Sequence, residues 1–150
     1  MDAIDTSAEM VDAARTRSMG AANIEFRTGD LMDVEPARYD FVSCIATVHH
    51  LPSFPAALER LRDSLRPGGV LAVLGLYRER TASDHAITLA AAPVNLLLNA
   101  LSRKDVEVSP PVSDATLTYA EIRADADRVL PGHRVRRHLF WRYSLLYRKP

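Results

Sequence analysis

The 150-residue chain balances 19 Lys and Arg against 19 Asp and Glu, with 47% of its residues hydrophobic and 25% charged. That is the length of one ordinary domain, apolar enough to build a core, which excludes disorder, collagen and coiled coil. Zero net charge argues against a protein that grips nucleic acid through bulk charge. A single cysteine, Cys44, cannot form an internal disulfide, and Met1-Asp2-Ala3-Ile4-Asp5 has neither the basic start nor the apolar run of a signal peptide. Both features point to the cytoplasm.

In chain order, Ala3 and Ile4 read as the end of a buried strand closed by Asp5. Thr6-Ser7-Ala8-Glu9 has capping-box spacing with Thr6 as N-cap, and Met10, Ala13 and Ala14 carry a helical period to about Arg17, ending near Gly20. Residues 23–28 predict a short strand with Ile24 and Phe26 on one face, closed by Gly29-Asp30. Residues 39–48 are apolar and β-branched, which suits a strand covered on both faces. Residues 54–65 return to helical period through Leu58, Leu61 and Leu65, and Arg66-Pro67-Gly68-Gly69 predicts a sharp stop. The most apolar strand follows at 70–76. Residues 84–101 predict a helix kinked or broken at Pro93, too short and too polar to cross a membrane. Ser109-Pro110-Pro111 marks a linker, so 77–117 reads as a variable lid or linker region. Thr118-Tyr119-Ala120-Glu121 is a second capping box, opening a helix that ends at Pro131-Gly132. Residues 134–140 and 143–148 predict strands joined too tightly for anything but antiparallel pairing. The fold class is α/β: a mostly parallel sheet with a C-terminal antiparallel hairpin, in one domain over 1–150.

Three features carry chemistry. Asp5 stands at the carboxyl end of a parallel strand, where open α/β sheets bind ligands and where a carboxylate can accept from both hydroxyls of a ribose; equally, it could only cap the following helix. Asp30 follows the next strand in Gly29-Asp30-Leu31, placed to accept from an adenine amine, although Gly-Asp is also a common turn. Ala46-Thr47-Val48-His49-His50-Leu51-Pro52 leaves the third strand. Adjacent histidines rarely face one metal ion, so no metal site is expected. A general base at His49 or His50 is the remaining chemical role, against packing at the strand end.

Together these features resemble the class I S-adenosylmethionine-dependent methyltransferases of small molecules. The resemblance rests on Ile4-Asp5-Thr6-Ser7-Ala8-Glu9-Met10, Gly29-Asp30-Leu31, Tyr39-Asp40-Phe41-Val42, Val48-His49-His50-Leu51 and, most specifically, Leu65-Arg66-Pro67-Gly68-Gly69-Val70-Leu71. It implies a Rossmann-like sheet with S-adenosyl-L-methionine as cofactor and a small-molecule methyl acceptor. By the same resemblance Asp5 holds the ribose, Thr6 and Met10 flank the adenine, Asp30 and Leu31 contact its edge, and Ala46 approaches the methionine part.

One departure is serious. The family's first strand and glycine-rich loop should precede Asp5, yet the six glycines all lie elsewhere and no Gly-x-Gly occurs. That strand is normally central, so its loss exposes two strand edges, each buried unpaired amide costing roughly 1–3 kcal/mol. The expectations are an N-terminally truncated enzyme, a sheet completed by a partner chain or a second copy, or a non-catalytic module. A nicotinamide-dependent oxidoreductase also places an acid after its second strand; the missing glycine fingerprint counts against both readings, while the Gly-Asp-Leu turn, the Arg-Pro-Gly-Gly turn and the short terminal hairpin favour the methyltransferase. A nucleic-acid methyltransferase would use the basic and aromatic residues after His133, against their forming a solvated basic face over a buried aromatic one.

Overall fold

The computed structural model describes residues 1–18, 21–33, 39–48, 51, 53–78, 115–139 and 141–150. They form two compact units, residues 1–37 and 38–150. The predicted helix over 84–101, the 109–111 linker and both His49 and His50 lie outside the described residues.

In the smaller unit β1 (Asp2–Asp5) and β2 (Glu25–Thr28) form a parallel pair, Asp2 opposite Glu25 and Asp5 opposite Thr28. Helix α1 (Ala8–Arg17) joins them. Its N-cap is Ser7 rather than Thr6: the Ser7 hydroxyl accepts from the Met10 amide at 3.3 Å. The Asp5 carboxylate already engages the Ser7 amide, which moves the first helical turn on by one residue. Arg15 ties the helix to the sheet by donating to the Phe26 carbonyl at 2.7 Å.

The larger unit holds a four-stranded sheet in the order β3 (Tyr39–Ile45), β4 (Leu65–Leu76), β6 (Arg142–Arg148), β5 (Arg134–Arg137). β3 and β4 are parallel, and β6 is antiparallel to both neighbours, as the short terminal connection requires. Register puts Val42 and Cys44 of β3, Leu71 and Val73 of β4, and Tyr143, Leu145 and Tyr147 of β6 on one face. The buried side chains of α2 (Phe54–Asp63) and α3 (Tyr119–Val129) complete this core: Phe54, Leu58, Leu61, Ile122, Ala126 and Val129. α3 carries the predicted capping box, with Thr118 as N-cap and Glu121 reaching back to its amide at 2.7 Å.

Two expectations change. Among the described residues of this unit, α2 and α3 cover one face of β3, while Phe41 and Ile45 project opposite to Cys44, 60% and 63% exposed. The residue types suit burial, but the period-two alternation sends these side chains away from α2 and α3. Nor does Arg66-Pro67-Gly68-Gly69 terminate the helix. α2 stops at Asp63 with Ser64 as C-cap, and the four residues loop out within β4, so that Tyr39 pairs with Leu65 but Phe41 already with Val70. Gly68 has φ +80, and a Cβ on Gly69 would stand 2.9 Å from the Arg66 carbonyl oxygen. The last residues close this loop: the Lys149 amide donates to Gly69, the Gly68 amide donates to Lys149, and the Lys149 ammonium donates to the Arg62 and Leu65 carbonyls.

Candidate functional site

The smaller unit brings Asp5, Thr6, Met10, Asp30 and Leu31 to one end of its sheet. Gly29 donates its amide to the Asp5 carbonyl at 3.0 Å, so the chain leaving β2 is held against the end of β1. Each carboxylate folds its own turn. Asp5 Oδ1 accepts from the Ser7 amide and Asp30 Oδ1 from the Met32 amide, both at 2.8 Å. In each case the second oxygen accepts no hydrogen bond among the described residues. Asp5 is exposed and Asp30 half-buried. Because Ser7 caps α1, helix capping does not account for Asp5; its position is an Asx turn with one oxygen to spare. Thr6 is exposed within that turn, whereas Met10 and Leu31 are half-buried.

Ala46 stands in the larger unit, just past β3. Its φ of +54 is left-handed, a conformation that costs an alanine roughly 1–2 kcal/mol. It persists because the Ala46 amide donates to Leu74 at 2.8 Å and Val48, two residues on, is buried. This backbone outlier has no signature in the sequence, since alanine is not a turn residue.

Cys44 is buried, and burial pushes its thiol up to about 11, against weaker opposing hydrogen bonds from Thr47 and Val48. Burial therefore keeps it a neutral thiol at neutral pH. Among the described residues no group of His, Cys, Asp and Glu could hold a metal ion. In the terminal hairpin Tyr143 and Tyr147 are buried while Trp141, Arg134, Arg136, Arg142 and Arg148 are exposed, so the two tyrosine rings offer no stacking platform for bases. Among the described residues no helix is long and apolar enough to cross a membrane.

Sequence reasoning did not find a cavity of about 270 Å³ in the larger unit, lined among others by Val48, Phe54, Leu76, Ile122, Asp125 and Tyr143. Its walls come from five separate stretches of chain, which no local pattern joins.

Known proteins are similar to this chain in sequence and in fold. A family described as methyltransferase domain matches residues 1–73. An uncharacterized methyltransferase of Mycobacterium tuberculosis is 30% identical over 152 residues, covering 99% of this chain and 75% of that one. The trans-aconitate 2-methyltransferase of Deinococcus radiodurans is 31% identical over 121 residues, covering 79% of this chain and 45% of the enzyme. Among solved structures, a methyltransferase from Aquifex aeolicus superposes with a TM-score of 0.63 at 18% identity, over 99% of this chain and 68% of that one. The N-methyltransferase NodS from Bradyrhizobium japonicum, solved with S-adenosylhomocysteine, gives 0.63 at 11% identity, over 99% of this chain and 66% of that one. The chain belongs to the methyltransferase family and has its Rossmann-like fold. It spans between about half and three quarters of these relatives.

Proposed function

We propose that the protein is a cytoplasmic enzyme transferring a methyl group from S-adenosylmethionine to a small-molecule acceptor. The observation carrying this reading is the pair of carboxylates at adjacent strand ends, each with one oxygen spent on its own turn and one free. Two acceptor-only groups held this way suit a nucleoside, which offers ribose hydroxyls and an amine as donors. Asp5 would hold the ribose, Asp30 and Leu31 the adenine edge, and Thr6 and Met10 its face; Ala46 would lie toward the methionine part. A trans-aconitate 2-methyltransferase and a ubiquinone biosynthesis O-methyltransferase among the similar proteins support a small acceptor. When bound, the cofactor would supply a sulfonium methyl for an acceptor lone pair, with its sulfur keeping the bond's electron pair, and the acceptor's proton would be left for a base or water to take. His49 or His50 would be that base, and replacing it would slow turnover by about 10²–10⁴.

Calorimetry with S-adenosylhomocysteine tests the cofactor site. Hydrogen bonds to a charged group contribute about 1.5–3 kcal/mol each, so Asp5→Ala should weaken binding at least about 10-fold, and Asp30→Ala less. Unchanged affinity in Asp5→Ala removes Asp5 from the site. A second reading, a sheet completed by another strand, is favoured by one observation: among the described residues β1 pairs only with β2, and β3, with Phe41 and Ile45 exposed, only with β4. A strictly monomeric mass in sedimentation would exclude completion by a second copy.

A further inference from the structure

We infer that the cavity at the carboxyl end of the β3–β4 pair is the acceptor pocket, taking a small, mainly apolar ring compound with one polar substituent that meets the Tyr143 hydroxyl. As an acceptor site it rests on the methyl-transfer reading; as a ligand site it stands on its own geometry.

The cavity measures about 270 Å³. An apolar cavity of roughly 150 Å³ already holds benzene, so this one accommodates a substituted ring or two small fused rings. It opens where the parallel pair ends, between Val48 after β3 and Leu76 closing β4, a place where open α/β sheets take their ligands. Phe54 from the first turn of α2 and Ile122 from α3 supply apolar walls.

Tyr143 makes the cavity more than a packing gap. The residue is 1% exposed, lines the cavity, and its hydroxyl has no hydrogen-bond partner among the described residues. A polar atom on a ligand would supply that partner, a neutral hydrogen bond contributing about 0.5–1.5 kcal/mol net. Burial raises the phenol above its ordinary range, so it stays neutral and can donate. Gly75, its cross-strand partner, makes the ring's position possible: a Cβ there would lie 2.6 Å from the phenol oxygen and from two ring carbons. The carboxylate of Asp125, paired with Arg128, places a further acceptor on the wall.

The test compares 4-methylphenol with toluene, molecules of one shape that differ by a hydroxyl, binding to the full chain as followed by ligand-observed NMR titration. Saturable binding of both is expected, with 4-methylphenol about 5-fold tighter, the yield of one neutral hydrogen bond. Tyr143→Phe should abolish the preference while still binding toluene, and Leu76→Trp should block both. Binding of neither probe to the folded wild-type protein overturns the inference, as does an undiminished preference in Tyr143→Phe. S-adenosylhomocysteine titrated into the same samples separates the two ideas. Ring binding without nucleoside binding keeps the ligand pocket and sinks methyl transfer; nucleoside binding without ring binding sinks the pocket alone.

Discussion

Gly75→Ala probes the packing on which both the sheet and the cavity depend. Gly75 faces Tyr143 across the β4–β6 ladder, and an added Cβ would meet Cε1, Cζ and the hydroxyl oxygen of that ring at 2.6 Å. Comfortable carbon contacts begin near 3.5 Å, so the ring must retreat by about 1 Å. Tyr143 lines the cavity, which gives the displaced ring room to move. Overpacking of this kind costs about 1–3 kcal/mol. With a urea slope of about 1–3 kcal/mol per molar for a small protein, the midpoint should fall by about 1 M at an unchanged slope. Tyr143→Phe should not relieve the clash, because both ring carbons remain, whereas Tyr143→Leu should. A double-mutant cycle of Gly75→Ala with Tyr143→Leu is therefore expected to show at least about 1 kcal/mol of coupling. An unchanged midpoint in Gly75→Ala, or additivity in the cycle, refutes this account of the β4–β6 contact.

Lys149→Met removes an ammonium that donates to the Arg62 and Leu65 carbonyls at 3.1 and 2.8 Å, at the carboxyl end of α2. Denaturant unfolding should show a loss of about 1.5–3 kcal/mol, and a loss under about 0.5 kcal/mol would demote the contact to decoration. Alkaline pH should destabilise the fold. The Cys44 thiol is raised from 9.0 to about 11 and the Tyr143 phenol is raised as well, so the unfolded chain gives up these protons first. The Cys44 contribution is whole below about pH 9 and drains away toward pH 11, and the Tyr143 contribution starts to drain only above about pH 10, each at up to about 1.4 kcal/mol per pH unit. Cys44→Ala should flatten that slope in urea melts taken at several pH values, and an equally steep slope in the variant would acquit the thiol.

The two acidic turns at the strand ends were legible because they are local. An acid at a strand end folds its own Asx turn over two residues, and Asp5 and Asp30 both do so. Thr118 and Glu121 likewise form their box within four residues. The same local chemistry misled at Thr6, where Asp5 competed for the Ser7 amide and shifted the cap to Ser7. Arg66-Pro67-Gly68-Gly69 was legible as a turn but not as a loop inside a strand, since its closure depends on Lys149.

The sequence by itself determined which segments are helices and strands among the described residues, the antiparallel terminal hairpin, and the two carboxylates at strand ends. Hydrophobic period, caps and turn residues act over a few positions and are written consecutively. Only the tertiary structure decided which face of β3 is covered, the left-handed Ala46, the Lys149 cap on a helix 87 residues away, and the cavity under Tyr143. Those depend on the register of strands brought together from distant parts of the chain, and a contact across a ladder has no trace in the order of residues along either strand.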